Sequence, residues 1–208
     1  MAYDFKKEYK ELYQPATSPA IVRVPAMNYL AVRGKGNPNE EGGAYKRALE
    51  LLYGVAYTLK MSYKSDYRIE GFFEYVVPPL EGLWWGEKGE IDYAHKEDFC
   101  FISMIRLPDF VTEKDVAWAK SEAGRKKKMD FSPVELFPYD EGLCVQCMHV
   151  GPYDDEPGTI HSMKDYAERQ GYAFDLAGHR LHHEIYLGDP RKTAPDKLKT
   201  VIRYPVKQ

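Results

Sequence analysis

Apolar and polar residues alternate in several short stretches of the chain, which predicts strands, whereas apolar residues at helical spacing predict helices in longer stretches. The predicted strands are AIVRVP (20–25), MNYLAVRGKG (27–36), GFFEYVVPP (71–79), FCFISMIRLP (99–108), VELFPYDEG (134–142), LCVQCMHVGPY (143–153), HRLHHEIYL (179–187) and KTVIRYPV (199–206). The predicted helices are 3–13, 41–62, 112–127 and 154–171. Between the third and fourth strands, LEGLWWGEKGE is predicted to be a glycine- and tryptophan-bearing loop.

The order strand, helix, strand, strand occurs twice, with an offset of about 110 residues. The matching segments FFEYVVP and HHEIYLGDP place Glu74 and Glu184 at corresponding positions. We therefore predict an α+β fold made of duplicated β-α-β-β modules related by a pseudo-two-fold axis. The single domain, 1–208, would consist of an N-terminal helical extension and two repeats, 20–110 and 134–208. A ligand cleft is expected where the two repeats meet.

The charge of the chain argues against nucleic acid as a partner. The net charge is −3 with a pI near 6.1, whereas a nucleic-acid-binding domain is expected to carry a basic stripe. The one basic cluster, 125–128, is predicted to end a helix, where cations suit the negative end of the helix dipole. A phosphate or membrane contact is the alternative for this cluster. We expect no direct binding of nucleic acid.

The segments that mark export or membrane insertion are not found in the sequence. The N-terminus, MAYDFKKEYKELY, is charged and lacks the apolar centre of a signal peptide. No apolar run approaches the roughly 20 residues that span a bilayer. Three cysteines in such a chain suggest free thiols in a reducing compartment. We therefore expect a cytoplasmic protein without a membrane partner.

The CxxC pair formed by Cys144 and Cys147 lies inside a predicted strand, so that the two sulfurs point to opposite faces. This favours buried structural thiols over a redox or metal site, both of which need converging sulfurs.

The stretch HRLHHEIYL crowds three histidines and a glutamate into six positions. On a strand, Arg180, His182, Glu184 and Tyr186 share one face, whereas His179 and His183 share the other. The split between faces argues against a zinc site, and we expect neither a metal nor another cofactor. Glu184 either pairs with Arg180 on a solvated face or faces the cleft between Tyr186 and His182. In the second case it would attract cations, and burial would raise its pKa so that it could act as a general base.

Several segments together resemble the GyrI-like small-molecule-binding family, and more narrowly its stand-alone form. These segments are PAMNYLAVRGKGNPNE, AYKRALELLYGVAYTLKM, EGLWW, HVGPYDDEP and HHEIYLGDPRKTAPDKLKTVIRYPV. The resemblance implies a duplicated module of the SHS2 type with a central ligand cleft. It also implies a hydrophobic aromatic ligand. Related domains sense hydrophobic cations when fused to a helix-turn-helix module, for which this sequence shows no pattern. Some stand-alone members are implied to be hydrolases that open the cyclopropane of DNA-alkylating natural products.

Carried over residue by residue, the resemblance implies that Glu184 is the cleft glutamate, that Tyr153 follows the HVGP turn, and that Trp84 and Trp85 line the ligand. Glu74 would be the pseudo-symmetric partner of Glu184. Two further tyrosines and a histidine are candidates for ligand contact, namely Tyr186, Tyr57 and His182. Because Trp84 and Trp85 are adjacent, we expect only one of them to face the ligand.

Three functions remain open at the level of sequence. In the first, Glu184 activates a water that opens a strained ring, and Tyr153 or Tyr186 donates a hydrogen bond to the oxygen that gains charge. In the second, the same carboxylate and aromatic rings bind and sequester a lipophilic cation without catalysis. In the third, suggested by the family name, the chain is an adaptor that inhibits gyrase. The sequence does not fix the oligomeric state, although a homodimer is compatible with it.

Overall fold

The computed structural model describes residues 2–89, 91–178 and 180–208, so that the predictions for His179 and Glu90 lie outside the described residues. The helices are α1 (Phe5–Glu8), α2 (Lys10–Tyr13), α3 (Ala44–Lys60), α4 (Glu113–Lys127) and α5 (Glu156–Arg169). The strands are β1 (Ala20–Val24), β2 (Met27–Lys35), β3 (Leu80–Gly86), β4 (Phe99–Arg106), β5 (Glu135–Tyr139), β6 (Gly142–Val150), β7 (Ala173–Phe174), β8 (His182–Tyr186) and β9 (Lys199–Lys207). The predicted mixture of strands and helices is confirmed, and no described helix has both the length and the apolarity that crossing a membrane requires.

The chain forms two compact units. Unit 1 comprises Met1–Phe5, Met27–Pro78 and Gly86–Tyr139. Its sheet has the antiparallel order β4-β2-β5, and α3 packs on β2 and β4 and also against α4. The buried side of α3 carries small and aliphatic residues at helical spacing, namely Ala48, Leu51, Leu52, Val55, Ala56 and Leu59.

Unit 2 comprises Lys6–Ala26, Pro79–Trp85 and Asp140–Gln208. Its strands follow the antiparallel order β1-β6-β9-β8-β3, and β7 pairs with β9. Helix α5 covers one face of this sheet through an apolar cluster of Val145, Cys147, Met163, Ala167, Ile202, Tyr204 and Val206. The unit 2 sheet therefore has an α5 face, and its other face is referred to below as the reverse face.

Two predictions around the third strand are wrong. The segment 71–79 is not a strand, because only Tyr75 forms an isolated bridge, to Tyr3. Pro78 and Pro79 lack the N–H groups that a ladder needs, and proline restricts the residue before it. The segment predicted as a loop instead forms β3, in which Leu80–Trp84 pairs with β8. Its glycines suggested a loop, yet Gly82 lies inside the ladder for a packing reason described below.

A capping box begins α4, and the prediction that the basic cluster ends this helix is confirmed. Thr112 and Asp115 form a capping box at the start of α4, with Thr112 N donating to Asp115 Oδ2 at 2.8 Å. The basic cluster ends α4, and Glu122 pairs with both Arg125 and Lys126. The predicted N-terminal helix is divided into α1 and α2.

The repeat boundaries remain a prediction. Strand β1 and residues 80–85 of β3 fall in the first predicted repeat but belong to unit 2, whereas β5 falls in the second repeat and belongs to unit 1. The duplicated SHS2-type module is therefore still an expectation from sequence.

Candidate functional site

Strand β8 places His182, Glu184 and Tyr186 on the α5 face of the unit 2 sheet, as the alternation predicted. The antiparallel register sets Trp84 opposite His182, and Gly82 opposite Glu184. Because directly paired residues share a face, the side chain of Trp84 lies on the same side as the carboxylate of Glu184. The adjacent Trp85 is on the other face by alternation, so Trp84 is the tryptophan of this cluster.

A chain of hydrogen bonds runs from Trp84 to Glu184. The indole Nε1 of Trp84 is 2.8 Å from the hydroxyl oxygen of Tyr186. An indole N–H can only donate, so this oxygen accepts, and the Tyr186 hydroxyl donates in turn to the Glu184 carboxylate. The single hydroxyl proton of Tyr186 is thereby used in the hydrogen bond to Glu184, which argues against Tyr186 as a donor to a ligand.

Gly82 makes room for this chain. A Cβ atom at this position would lie 2.6 Å from Trp84 Nε1 and 3.2 Å from the Tyr186 hydroxyl. The first distance is shorter than any ordinary van der Waals contact, so the indole and the hydroxyl occupy the space that any other residue would fill. Glycine is therefore required by packing rather than by a turn.

Two further groups contact Glu184. The Nε2 atom of His182 is 2.6 Å from Glu184 Oε1, and since a carboxylate oxygen only accepts, Nε2 donates. Glu156, the first residue of α5, forms a hydrogen bond with Glu184 through its carboxyl group. Glu156 and His182 are buried, whereas the Glu184 side chain keeps 12% of its surface exposed. Glu184 is thus an acceptor for three donors and still accessible at one side.

The electrostatics of this pair differ from the expectation for Glu184. Burial acts to raise the pKa of Glu184, but the hydrogen bonds and charge of His182, together with Tyr186 and Glu156, hold it below its ordinary value. Burial and the negative charge of Glu184 instead raise the pKa of Glu156 well above its ordinary value. When the two carboxyl groups share one proton, it therefore resides on Glu156, and Glu184 is the anion.

Arg180 does not form the ion pair with Glu184 that was the alternative for this position. Its guanidinium pairs with Asp175 and donates to the backbone carbonyls of Glu141 and Leu143.

Tyr153 lies beside the cluster, in a 3₁₀ turn (Tyr153–Asp155) that leads into α5. Its ring meets the ring of Tyr186 edge to face, with centroids 5.9 Å apart. Burial, followed by the negative charge of Glu184, raises the pKa of Tyr153 to about 12. Its hydroxyl is therefore neutral and, among the described residues, has no hydrogen-bond partner, which leaves it able to donate to a ligand.

His149 fixes the turn that carries Tyr153. Its Nε2 is 3.0 Å from the carbonyl oxygen of Pro152 and must donate to it, so in the neutral ring Nδ1 accepts from the Thr159 hydroxyl at 2.8 Å. The histidine of the HVGP segment thus ties the end of β6 to the first turn of α5. This tie positions both Tyr153 and Glu156.

The reverse face of β8 carries a second network of charged groups, which is fully buried. His183 donates from Nε2 to Glu81 Oε2 at 3.0 Å and from Nδ1 to Glu141 Oε1 at 2.9 Å. Arg203 donates to Glu141 Oε2 at 3.1 Å and to the carbonyl of Leu12 at 2.8 Å. Two carboxylates are thus balanced by two cations, as buried charges require. The network lies on the face of β8 opposite to Glu184 and links this strand to β3 and β9.

Glu74 and Tyr57, two predicted ligand residues, belong to unit 1, whereas Glu184 belongs to unit 2. Glu74 is exposed in the irregular segment before β3. Tyr57 is 51% exposed and lines a shallow groove of about 320 Å³ with Tyr53 and Trp118. The role of these two residues in ligand binding remains a prediction.

Glu156 was not singled out from the sequence. It lies within HVGPYDDEP, but an acidic residue in the first turn of a helix is ordinarily a solvated group that suits the helix dipole. Its place in the cluster depends on its burial next to Glu184 of β8, and no pattern of neighbouring residues in the sequence indicates that burial. Among the described residues, Glu156, His182 and Glu184 also bring donor atoms within 4.8 Å of one another. In this structure His182 Nε2 uses its proton to bond Glu184, so the three side chains form a hydrogen-bonded cluster and not a set of metal ligands.

Comparison with known proteins finds similarity over almost the whole chain. The family model described as a GyrI-like small molecule binding domain matches residues 17–207. A structure described as a hydrolase from Listeria innocua is 44% identical, with a TM-score of 0.90, over 99% of this chain and 100% of its own. A second hydrolase from the same organism is 45% identical, with a TM-score of 0.93, over 100% of both chains. An uncharacterized conserved protein of Listeria innocua is 47% identical, with a TM-score of 0.93, over 99% of this chain and 100% of its own.

A more distant structure shows the fold alone. The C-terminal domain of EcmrR is 13% identical with a TM-score of 0.59, over 92% of this chain and 98% of its own. Among curated proteins no match was found.

Proposed function

This chain belongs to the GyrI-like small-molecule-binding family, and from that premise we propose that it is a hydrolase that opens the strained ring of cyclopropane-bearing, DNA-alkylating compounds with water. The observation that carries the proposal is the pair of carboxyl groups formed by Glu156 and Glu184, of which Glu184 is anionic and accessible. Two structures that cover the whole chain and are described as hydrolases support the reaction class.

The reaction uses Glu184 as a general base. Its carboxylate accepts a proton from a water molecule, and the water oxygen forms a bond to a carbon of the strained ring. The ring C–C bond breaks, and its electron pair moves through the conjugated system to the carbonyl oxygen of the ligand. The Tyr153 hydroxyl donates a hydrogen bond to this oxygen as it gains negative charge. The proton that Glu184 took from the water then passes through solvent to this oxygen, which completes the addition of water and restores the carboxylate. Because relief of ring strain drives the opening, the proposal includes no cofactor.

The aromatic residues next to Glu184 suit a flat ligand. Tyr153 and Tyr186 stand edge to face, and Trp84 is fixed to Tyr186 by its indole N–H. Rings held in this way lose little conformational freedom when a planar ligand stacks on them. A rigid aromatic surface next to an anionic base is what the proposed substrate class requires.

A second function is favoured by the single negative charge of the carboxyl pair. A lipophilic cation would be attracted by the Glu184 carboxylate and by the faces of the neighbouring rings, and would be held without turnover. The protein would then protect a cell by sequestration. The two functions differ in stoichiometry, since a binder protects only in proportion to its concentration.

The test is mass spectrometry after trace purified protein has been incubated with an excess of a cyclopropane-bearing alkylating compound. We expect many turnovers to a product heavier by one water. Glu184→Gln removes the base and should lower the rate by roughly 100- to 10,000-fold.

Glu168→Gln is the matched control, because Glu168 is an exposed glutamate on α5 and its replacement should leave the rate unchanged. Recovery of intact compound bound to the protein would contradict hydrolysis and favour the binder. Turnover by Glu184→Gln at the wild-type rate would rule out Glu184 as the base.

A further inference from the structure

Glu156 takes no part in the reaction as written, although it is the carboxyl group nearest to the base. It is 1% exposed, and one of its oxygens, Oε1, has no hydrogen-bond partner among the described residues. The remaining contact is the hydrogen bond between the carboxyl groups of Glu156 and Glu184. Burying a polar atom without a hydrogen-bond partner lowers the stability of the fold, so we expect Glu156 to have a role in the site.

The hydrogen bond between two carboxyl groups requires a proton, since two carboxylates in contact repel each other. Glu184 already accepts from the ring of His182 and the hydroxyl of Tyr186, so its ionised form is stabilised and the proton stays on Glu156. Further groups of the site face the pair from the turn before α5, where Asp154 adds negative charge and Tyr153 is neutral. From β6, the ring of His149 holds Thr159 in the same turn of α5.

We infer that Glu156 is a positioning residue of the proposed hydrolytic site, whose protonated carboxyl group holds the Glu184 carboxylate in place and keeps the pair at one negative charge. The inference rests on the proposed function. Glu156 acts through Glu184 and does not touch the substrate. Its proton-bearing oxygen is one of three donors that fix the orientation of the base, and the other two come from β8 itself. Within the part of the chain that the structure describes, Glu156 is the residue that ties the base to α5.

The inference predicts how activity depends on pH. When the pH is raised far enough for Glu156 to lose its proton, the pair carries two negative charges, the hydrogen bond is lost and the carboxylates separate. The rate therefore falls on the alkaline side. Glutamine is a neutral donor of nearly the same shape as the protonated carboxyl group, so Glu156→Gln should keep the base in place and should not show this fall.

The experiment measures kcat and KM for the cyclopropane-bearing compound with the wild type, Glu156→Gln and Glu156→Leu, from about pH 6 to about pH 10. Near pH 7 we expect Glu156→Gln to retain kcat within about threefold, and Glu156→Leu to lose roughly 10- to 100-fold in kcat, as when a charge-assisted hydrogen bond is removed. The alkaline fall should be present in the wild type and absent in Glu156→Gln. A fall that persists in Glu156→Gln would belong to another group and would overturn the inference. Loss of kcat in Glu156→Gln as large as that of Glu184→Gln would also overturn it, because Glu156 would then transfer a proton itself.

A second readout needs no substrate. Infrared difference spectra at about pH 7 should show the carbonyl band of a protonated carboxyl group in the wild type and not in Glu156→Gln. Absence of the band in the wild type would overturn the inference, whatever the activity. Presence of the band in a wild type that does not turn over the compound would contradict the proposed function and leave the proton-sharing pair standing.

Discussion

At the scale of single residues, the site depends on the absence of a Cβ atom at Gly82. Gly82 leaves space in which the Trp84 indole can reach the Tyr186 hydroxyl, and that hydroxyl then donates to Glu184. The order of donors follows from the indole, which can only donate. The missing Cβ therefore makes room for the hydrogen-bond chain that ends at the proposed base, and the indole sets its direction.

Gly82→Ala is expected to disrupt this chain. The new Cβ would lie 2.6 Å from Trp84 Nε1, so the indole must move and release Tyr186. Overpacking of this kind costs about 1–3 kcal/mol, which urea unfolding would measure as a lower free energy of unfolding. Tryptophan fluorescence should change as the indole moves.

Gly158→Ala is the matched control for this substitution. Its Cβ would meet nothing within 4 Å, and the residue lies inside α5, so alanine should be neutral or stabilising by up to about 1 kcal/mol. Equal stability of the wild type and Gly82→Ala would contradict the packing argument.

At the scale of elements, β8 carries charged groups on both faces and is held from both sides. On the α5 face Glu184 is the anion of the carboxyl pair, whereas on the reverse face His183 lies between Glu81 and Glu141. A shift of one residue would exchange the two faces, so the reverse-face network also fixes the register of the strand that bears Glu184.

The reverse-face network predicts a dependence of stability on pH. Burial acts to lower the pKa of His183, but the carboxylates of Glu141 and Glu81 outweigh it and raise the pKa from 6.5 to about 9. The folded state thus binds the His183 proton more tightly than the unfolded chain does. The resulting stabilisation is complete below pH 6.5 and is lost as the pH rises to about 9. Its size is on the order of 3 kcal/mol.

Urea unfolding across this pH range, with NMR titration of the His183 ring, would check the prediction. The NMR measurement separates the effect of His183 from that of Glu156. The raised pKa of Glu156 also lowers the free energy of unfolding as the pH rises. His161→Ala is a suitable control, since His161 is exposed on α5 and should not alter the pH dependence. A His183 ring that titrates at or below its ordinary value would contradict the prediction.

At the scale of the whole molecule, the three cysteines report on how the chain is packed. All three are free thiols, as predicted, and Cys144 and Cys147 are buried inside β6. Cys147 belongs to the apolar cluster under α5, whereas Cys144 is on the reverse face, which confirms that the CxxC sulfurs diverge. Cys100 is only partly buried.

A thiol reagent should therefore modify one cysteine in the native protein and three after unfolding. Burial raises the pKa of all three thiols, and Cys100, the least buried, should be the one that reacts, more slowly than a free thiol. Cys100→Ser should reduce the native count to zero. Rapid modification of Cys144 or Cys147 in the native state would show that β6 is more open than the structure indicates.

By itself the sequence determined most of the local structure. Periodicity located α3, α4, α5 and most of the strands, and alternation on β8 separated Glu184 from His183, because these features depend on neighbours along the chain. The tertiary structure decided that LEGLWWG rather than GFFEYVVPP is a strand, since a strand needs a partner with free N–H and C=O groups. It also decided that Glu156 joins Glu184 and that the pKa of Glu184 falls rather than rises. Both outcomes depend on which donors surround a buried carboxylate, and those donors come from segments far apart in sequence.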